Sequence, residues 1–154
     1  MITNDNGKSW CEHEDGKVAV ILLTDQMPRS IYRKTGKAFE FDHISRAIAY
    51  DMIKSGEWEK AKFMDKFFIS LTLEHHENQE SLDLLMKLRD RQLEIYQDDQ
   101  RSVEQLKFFK KMSKLHVDIF EQFGRYPHRN DALCRESTQE EIEWLETGET
   151  FGQK

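Results

Sequence analysis

Residues 106–124 read LKFFKKMSKLHVDIFEQFG. The apolar positions Leu106, Phe109, Met112, Leu115, Ile119, Phe120 and Phe123 recur mostly at steps of three and four. That spacing gathers them on one stripe of a 3.6-residue helix, which Gly124 then ends. The same pattern runs backwards through the chain. Phe39, Phe41, Ile44, Ala47, Ile48 and Met52 form one stripe, and Trp58, Ala61, Met64, Phe67, Phe68 and Leu71 a second. Leu82, Leu85, Leu88 and Leu93 form a third. Proline removes a backbone donor and breaks helices. Only Pro28 and Pro127 occur among 154 residues, so positions 29–126 are free to be helical. No stretch alternates with period two for long enough to suggest a strand. The expectation is an all-α chain.

Start and stop signals divide the stripes. Ser55-Gly56-Glu57 separates two of them, with Gly56 suited to a residue just past a helix end. Residues 74–79 form a polar break, and Asp98-Asp99 form another. Ser137 and Glu140 have capping-box spacing and open a last short helix carrying Ile142, Trp144 and Leu145. About six helices follow, packed as antiparallel neighbours because the joints are short. The reading takes residues 1–154 as one helical domain. Residues 1–13 are expected to be flexible and 147–154 to be a tail. The paired phenylalanines Phe67-Phe68 and Phe108-Phe109, with Phe120 and Phe123, are assigned to the core.

Composition narrows the function classes. Charged residues make up 34% and the net charge is −6, so the surface as a whole repels nucleic acid and no nucleic-acid partner is expected. The longest apolar run, Val18–Leu23, is far short of the roughly 20 residues that span a bilayer. The polar start at Met1–Ser9 does not read as a signal peptide. Cys11 and Cys134 are far apart, which excludes a disulfide scaffold or a four-cysteine zinc site. A cytoplasmic location, no membrane association, no metal and no cofactor are expected.

The unusual residues gather around the two prolines. One cluster is Asp25-Gln26-Met27-Pro28-Arg29-Ser30-Ile31-Tyr32-Arg33. The other is Phe123-Gly124-Arg125-Tyr126-Pro127-His128-Arg129-Asn130. Each follows an apolar helix and holds two arginines, whose planar forks suit carboxylate or phosphate.

ILLTDQMPRSIYR at 21–33, followed by AFEFD at 38–42, resembles the N-terminal signature of the family called domain of unknown function 924. FGRYPHRNDALCRESTQEEIEWL at 123–145 resembles the same family's C-terminal signature. Between them Phe67, Phe68, Leu71, Glu74, His75, Glu77 and Asn78 resemble its central element, and His116 falls where the family also carries a histidine. The resemblance covers about residue 10 to the end. It implies a tetratricopeptide-like helical fold and brings no settled activity. Family members usually begin with about forty more residues, including an aromatic-rich helix. Its absence leads us to expect an apolar groove beside Val18–Leu23, open to a protein partner or to self-association. Cys134 stands where the family has glycine, Ser30 where it has asparagine, and Thr72 where proline is common.

Two functional readings follow. In the first, the proline turns meet around a small anion, a phosphate or a carboxylate. Arg29, Arg33, Arg125 and Arg129 would clamp it, with Gln26, Asn130 and His116 completing the site. His128 or His75 would carry a proton, oriented by Asp25 or Glu74. In the second, the chain is a non-enzymatic helical scaffold for protein–protein interaction. Its arginines then pair with Asp25, Asp42 or Glu136 and hold the helix joints. The readings separate on one point: an open, arginine-lined cavity favours the first, and buried, mutually paired turns favour the second.

Overall fold

The structure, a computed structural model, describes residues 8–152. Among them lie eight α-helices and no strand: α1 Glu14–Ile21, α2 Met27–Ile31, α3 Asp42–Lys54, α4 Glu57–Lys60, α5 Phe63–Glu74, α6 Gln79–Ile95, α7 Gln100–Phe123 and α8 Gln139–Thr147. The all-α reading therefore holds. The count exceeds six for two local reasons. The first helix is a run from Glu14 to Ile31 divided by a π-helical turn at Leu22–Gln26. The Trp58 stripe is also broken, because Ala61 turns extended (φ −62°, ψ 156°) and separates α4 from α5. Of residues 1–13, expected to be flexible, Lys8–Glu12 form a 3-10 turn; residues 1–7 lie outside those described.

The caps follow residue chemistry. Gly56 has φ +79° and Gly124 φ +67°, the left-handed geometry that glycine adopts without a Cβ clash. Asn78 caps α6 by accepting from the Ser81 amide at 3.1 Å. Asp99 caps α7 by accepting from the Arg101 amide at 3.3 Å. The capping box of α8 lies one residue later than Ser137/Glu140. Thr138 Oγ1 accepts from the Glu141 amide at 3.2 Å, and the Glu141 carboxylate accepts from the Thr138 amide at 2.8 Å. Ser137 is used elsewhere, since its Oγ accepts from Asn130 Nδ2 at 3.0 Å.

The chain divides into two compact units, Met1–Thr72 with His128–Lys154, and Leu73–Pro127. In the first, Val20, Ile21, Ala49, Met52 and Ile69 are fully buried. Trp58 is buried beside them, and its indole donates to Ser70 Oγ at 3.0 Å and to the Lys66 carbonyl at 3.2 Å. The groove expected beside α1 is not formed at Val18, Val20 and Ile21, which are buried; Leu22 and Leu23 remain half-buried. In the second unit α6 and α7 form a hairpin joined at 96–99, with Leu82, Leu85 and Leu106 at its centre. Phe109, Phe120 and Phe123 are half-buried there. Phe108 is a correction to the expected core: it is 59% exposed, because it lies one position off the stripe that Leu106 and Phe109 share.

Candidate functional site

The N-terminal proline turn begins with the π-helical segment. Pro28 has no amide to donate into the turn before it, and the helix widens over Leu22–Gln26 immediately ahead of it. Single π turns inside α-helices are frequent at functional sites. This one buries Thr24 and Asp25, and the Thr24 hydroxyl donates back to the Val20 carbonyl at 2.7 Å. The Gln26 side-chain amide donates to the Asp25 carboxylate.

Arg29 lies one turn beyond Asp25. Its Nη1 and Nη2 each meet one carboxylate oxygen of Asp42 at 2.7 Å, a bidentate pair. Nη1 also reaches the Asp25 carbonyl at 2.9 Å and the Asp25 carboxylate at 3.0 Å. Burial works to lower the Arg29 pKa, but the Asp42 hydrogen bonds and the charges of Asp25 and Asp42 outweigh it and hold the group above its ordinary value. Phe39 carries two guanidiniums on its ring, Arg29 at 5.3 Å and Arg129 at 4.9 Å from the centroid.

That shared ring joins residues a hundred positions apart in sequence. The segment after Pro127 is a 3-10 turn, Pro127–Arg129, in which His128, Arg129 and Asn130 are all buried. The His128 ring meets Phe151 edge-on at 5.5 Å. Asn130 Nδ2 donates to Ser137 Oγ and, at 3.2 Å, to the buried Glu141 carboxylate. Arg33, by contrast, is exposed and stands beside Gly152. The first unit thus brings together Asp25, Gln26, Arg29, Arg129 and Asn130, with His128 in the same turn.

His75, His116 and Arg125 belong to the second unit, and with them comes a buried polar network that the sequence reading did not assemble. Glu74 is at its centre. Its Oε2 accepts from Ser113 Oγ at 2.5 Å, and its Oε1 is 3.3 Å from His116 Nδ1. Arg89 Nε donates to Ser113 Oγ at 3.1 Å, Nη1 donates to Gln92 Oε1 at 3.0 Å, and Nη2 is 3.9 Å from Glu74 Oε2. Burial lowers the Arg89 pKa, with Glu74 opposing. The Tyr126 hydroxyl donates to the Glu74 carbonyl at 2.7 Å, and its ring meets His116 edge-on at 5.4 Å. Glu74, Arg89, Gln92, Ser113 and His116 are all buried. A signal for this was available. Leu82, Leu85, Arg89 and Gln92 follow a 3-4-3 spacing on α6, as do Leu106, Phe109, Ser113 and His116 on α7, so polar residues stand at core positions of both helices. Adjacent to this network His75 is half-buried, whereas His76 Nδ1 pairs with Ser81 Oγ at 2.6 Å. Arg125 is half-buried. Among the described residues no three His, Cys, Asp or Glu side chains are placed to hold a metal ion, and no helix is long and apolar enough to cross a membrane.

The chain is similar to a solved structure of a protein of unknown function from Agrobacterium tumefaciens. The two share 29% identity and superpose with a TM-score of 0.62, over 91% of this chain and 72% of that one. No curated protein matches it. The family described as "Bacterial protein of unknown function (DUF924)" matches residues 2–149. The proline-turn motifs, the helical fold and this match agree: the chain belongs to the DUF924 family.

Proposed function

We propose that this chain is a non-enzymatic helical scaffold for protein interaction, and that its arginine-rich proline turns lock helix joints rather than bind a small anion. The observation that carries this reading is the state of Arg29. A clamp for phosphate or carboxylate needs guanidinium donors that the protein has not already filled. Arg29 spends Nη1 and Nη2 on Asp42 and on the Asp25 carbonyl and carboxylate, and lays its face on Phe39. An incoming anion would have to displace two native carboxylates and would repel both. The Asn130 Nδ2 donor is likewise committed to Ser137 and Glu141. Buried arginine–carboxylate pairs of this kind fix the geometry of a joint.

The test is calorimetric titration of the protein with inorganic phosphate and, separately, succinate. The expected result is no heat of binding at either anion. Saturable binding that Arg29→Met abolishes, in a variant that still folds, would overturn the scaffold reading and restore the anion site.

A further inference from the structure

We propose that the cavity along α8 is a docking site for a basic segment bearing apolar side chains, such as a lysine-flanked amphipathic stretch of a partner protein. The inference rests on the scaffold reading and gives that scaffold its contact surface. The cavity measures about 680 Å³, is open to solvent and lies within the first unit. Ile142, Leu145 and Glu146 line it at helical spacings of three and four, so one face of α8 presents an apolar pair beside a carboxylate. Ile142 is 47% exposed and Leu145 half-buried, so both present apolar surface to the cavity. Asp131, Arg135 and Glu136 also line it, so with Glu146 the lining holds three carboxylates and one guanidinium.

A second observation points the same way. The C-terminal end of a helix carries partial negative charge and is favoured by cations. α8 has no basic residue in its last turn and instead carries Glu143 and Glu146 toward that end. A partner's lysines or arginines would be drawn both to the carboxylates of this face and to the C-terminal end of α8. A small anion is disfavoured by the same charges. A second copy of this chain is a poorer fit. The chain carries net −6, so two copies repel each other as wholes.

The experiment is fluorescence anisotropy with a labelled peptide bearing two leucines one helical turn apart and flanked by lysines. Two control peptides replace either the lysines by glutamates or the leucines by glycines. The expected result is saturable binding of the first peptide only, weakened as salt rises. Glu146→Lys and Ile142→Ser should each weaken it about tenfold or more, consistent with loss of a central contact. Both sites are solvent-exposed, and circular dichroism should show the folds retained. No binding of the lysine–leucine peptide, or equal binding by parent and variants, would overturn the docking site. Concentration-dependent dimerisation in sedimentation, abolished by Ile142→Ser, would also overturn it, in favour of a second copy as the occupant. Failure here, with anion titrations still silent, leaves the scaffold reading intact; anion binding at Arg29 removes that reading whatever the peptide does.

Discussion

Replacing Arg29 by methionine should destabilise the protein by about 3–5 kcal/mol, because the substitution removes the one guanidinium that the buried Asp25 and the half-buried Asp42 share. The magnitude follows from what remains. The Asp25 side chain is 1% exposed and Asp42 17%, and Arg29 itself is 10% exposed, so solvent screens the charges poorly. Without the guanidinium, the Asp25 carboxylate loses its 3.0 Å ion pair with Nη1. The ring of Phe39 also loses one of its two cations, worth about 0.5–2 kcal/mol. Methionine retains most of the apolar stem, so packing accounts for little of the change. The assay is urea unfolding with the slope against denaturant compared between variants, since an unchanged slope means an unchanged unfolding reaction. Asp42→Asn, which leaves Arg29 its Asp25 contacts, should cost less. The double variant should cost clearly less than the sum, because the residues share one network. A loss below about 1 kcal/mol, the range of solvent-exposed pairs, would refute the claim that Arg29 locks the joint.

Three further outcomes are expected. Cys134 has φ +53°, a left-handed conformation that disfavours a side chain, so Cys134→Gly should raise stability by about 0.5–1 kcal/mol in the same urea assay. Thr138→Ala removes the side-chain half of the α8 capping box and should cost about 1 kcal/mol; helix content by circular dichroism should fall with it. Burial lowers the Lys66 pKa, chiefly by desolvation, beneath the ordinary lysine value of 10.5. The unfolded chain then holds the proton more tightly than the folded one, so stability should rise as pH climbs through the lowered value toward 10.5, and Lys66→Met should flatten that rise.

Helix existence was legible because apolar spacing of three and four is a direct imprint of the helix repeat. The stripes on α3, α6 and α7 needed no tertiary information. The π turn was not legible, since no side-chain period distinguishes it; its one hint was the proline at 28, which denies the preceding turn an amide. Phe108 was misplaced because two adjacent phenylalanines cannot both face one stripe, and only the register fixed by Leu106 and Ser113 decides between them. The candidate site divides in the same way. Asp25, Arg29 and Asp42 were nameable as possible partners from short sequence separation. The meeting of Arg29 and Arg129 across Phe39 is a long-range packing event that no local spacing encodes. Arg89 and Gln92 were missed although they occupy leucine-type positions of α6. A polar residue within an apolar stripe reads as a gap until a facing helix supplies Ser113 and Glu74 to meet it. At Cys134 the backbone is left-handed, which no apolar period signals and which glycine would adopt without a Cβ clash.

If the proline turns hold the fold rather than a ligand, anions leave the stability of the protein unchanged. A ligand that binds only the folded state raises the unfolding free energy in proportion to the logarithm of its concentration. The measurement is thermal unfolding of the parent and of Arg29→Met across a phosphate series, at ionic strength held constant with chloride. Parallel, flat responses are expected, with the variant displaced to lower temperature throughout. A parent midpoint that climbs with phosphate, beside a variant that starts near the parent and does not climb, would contradict a structural role for the turns.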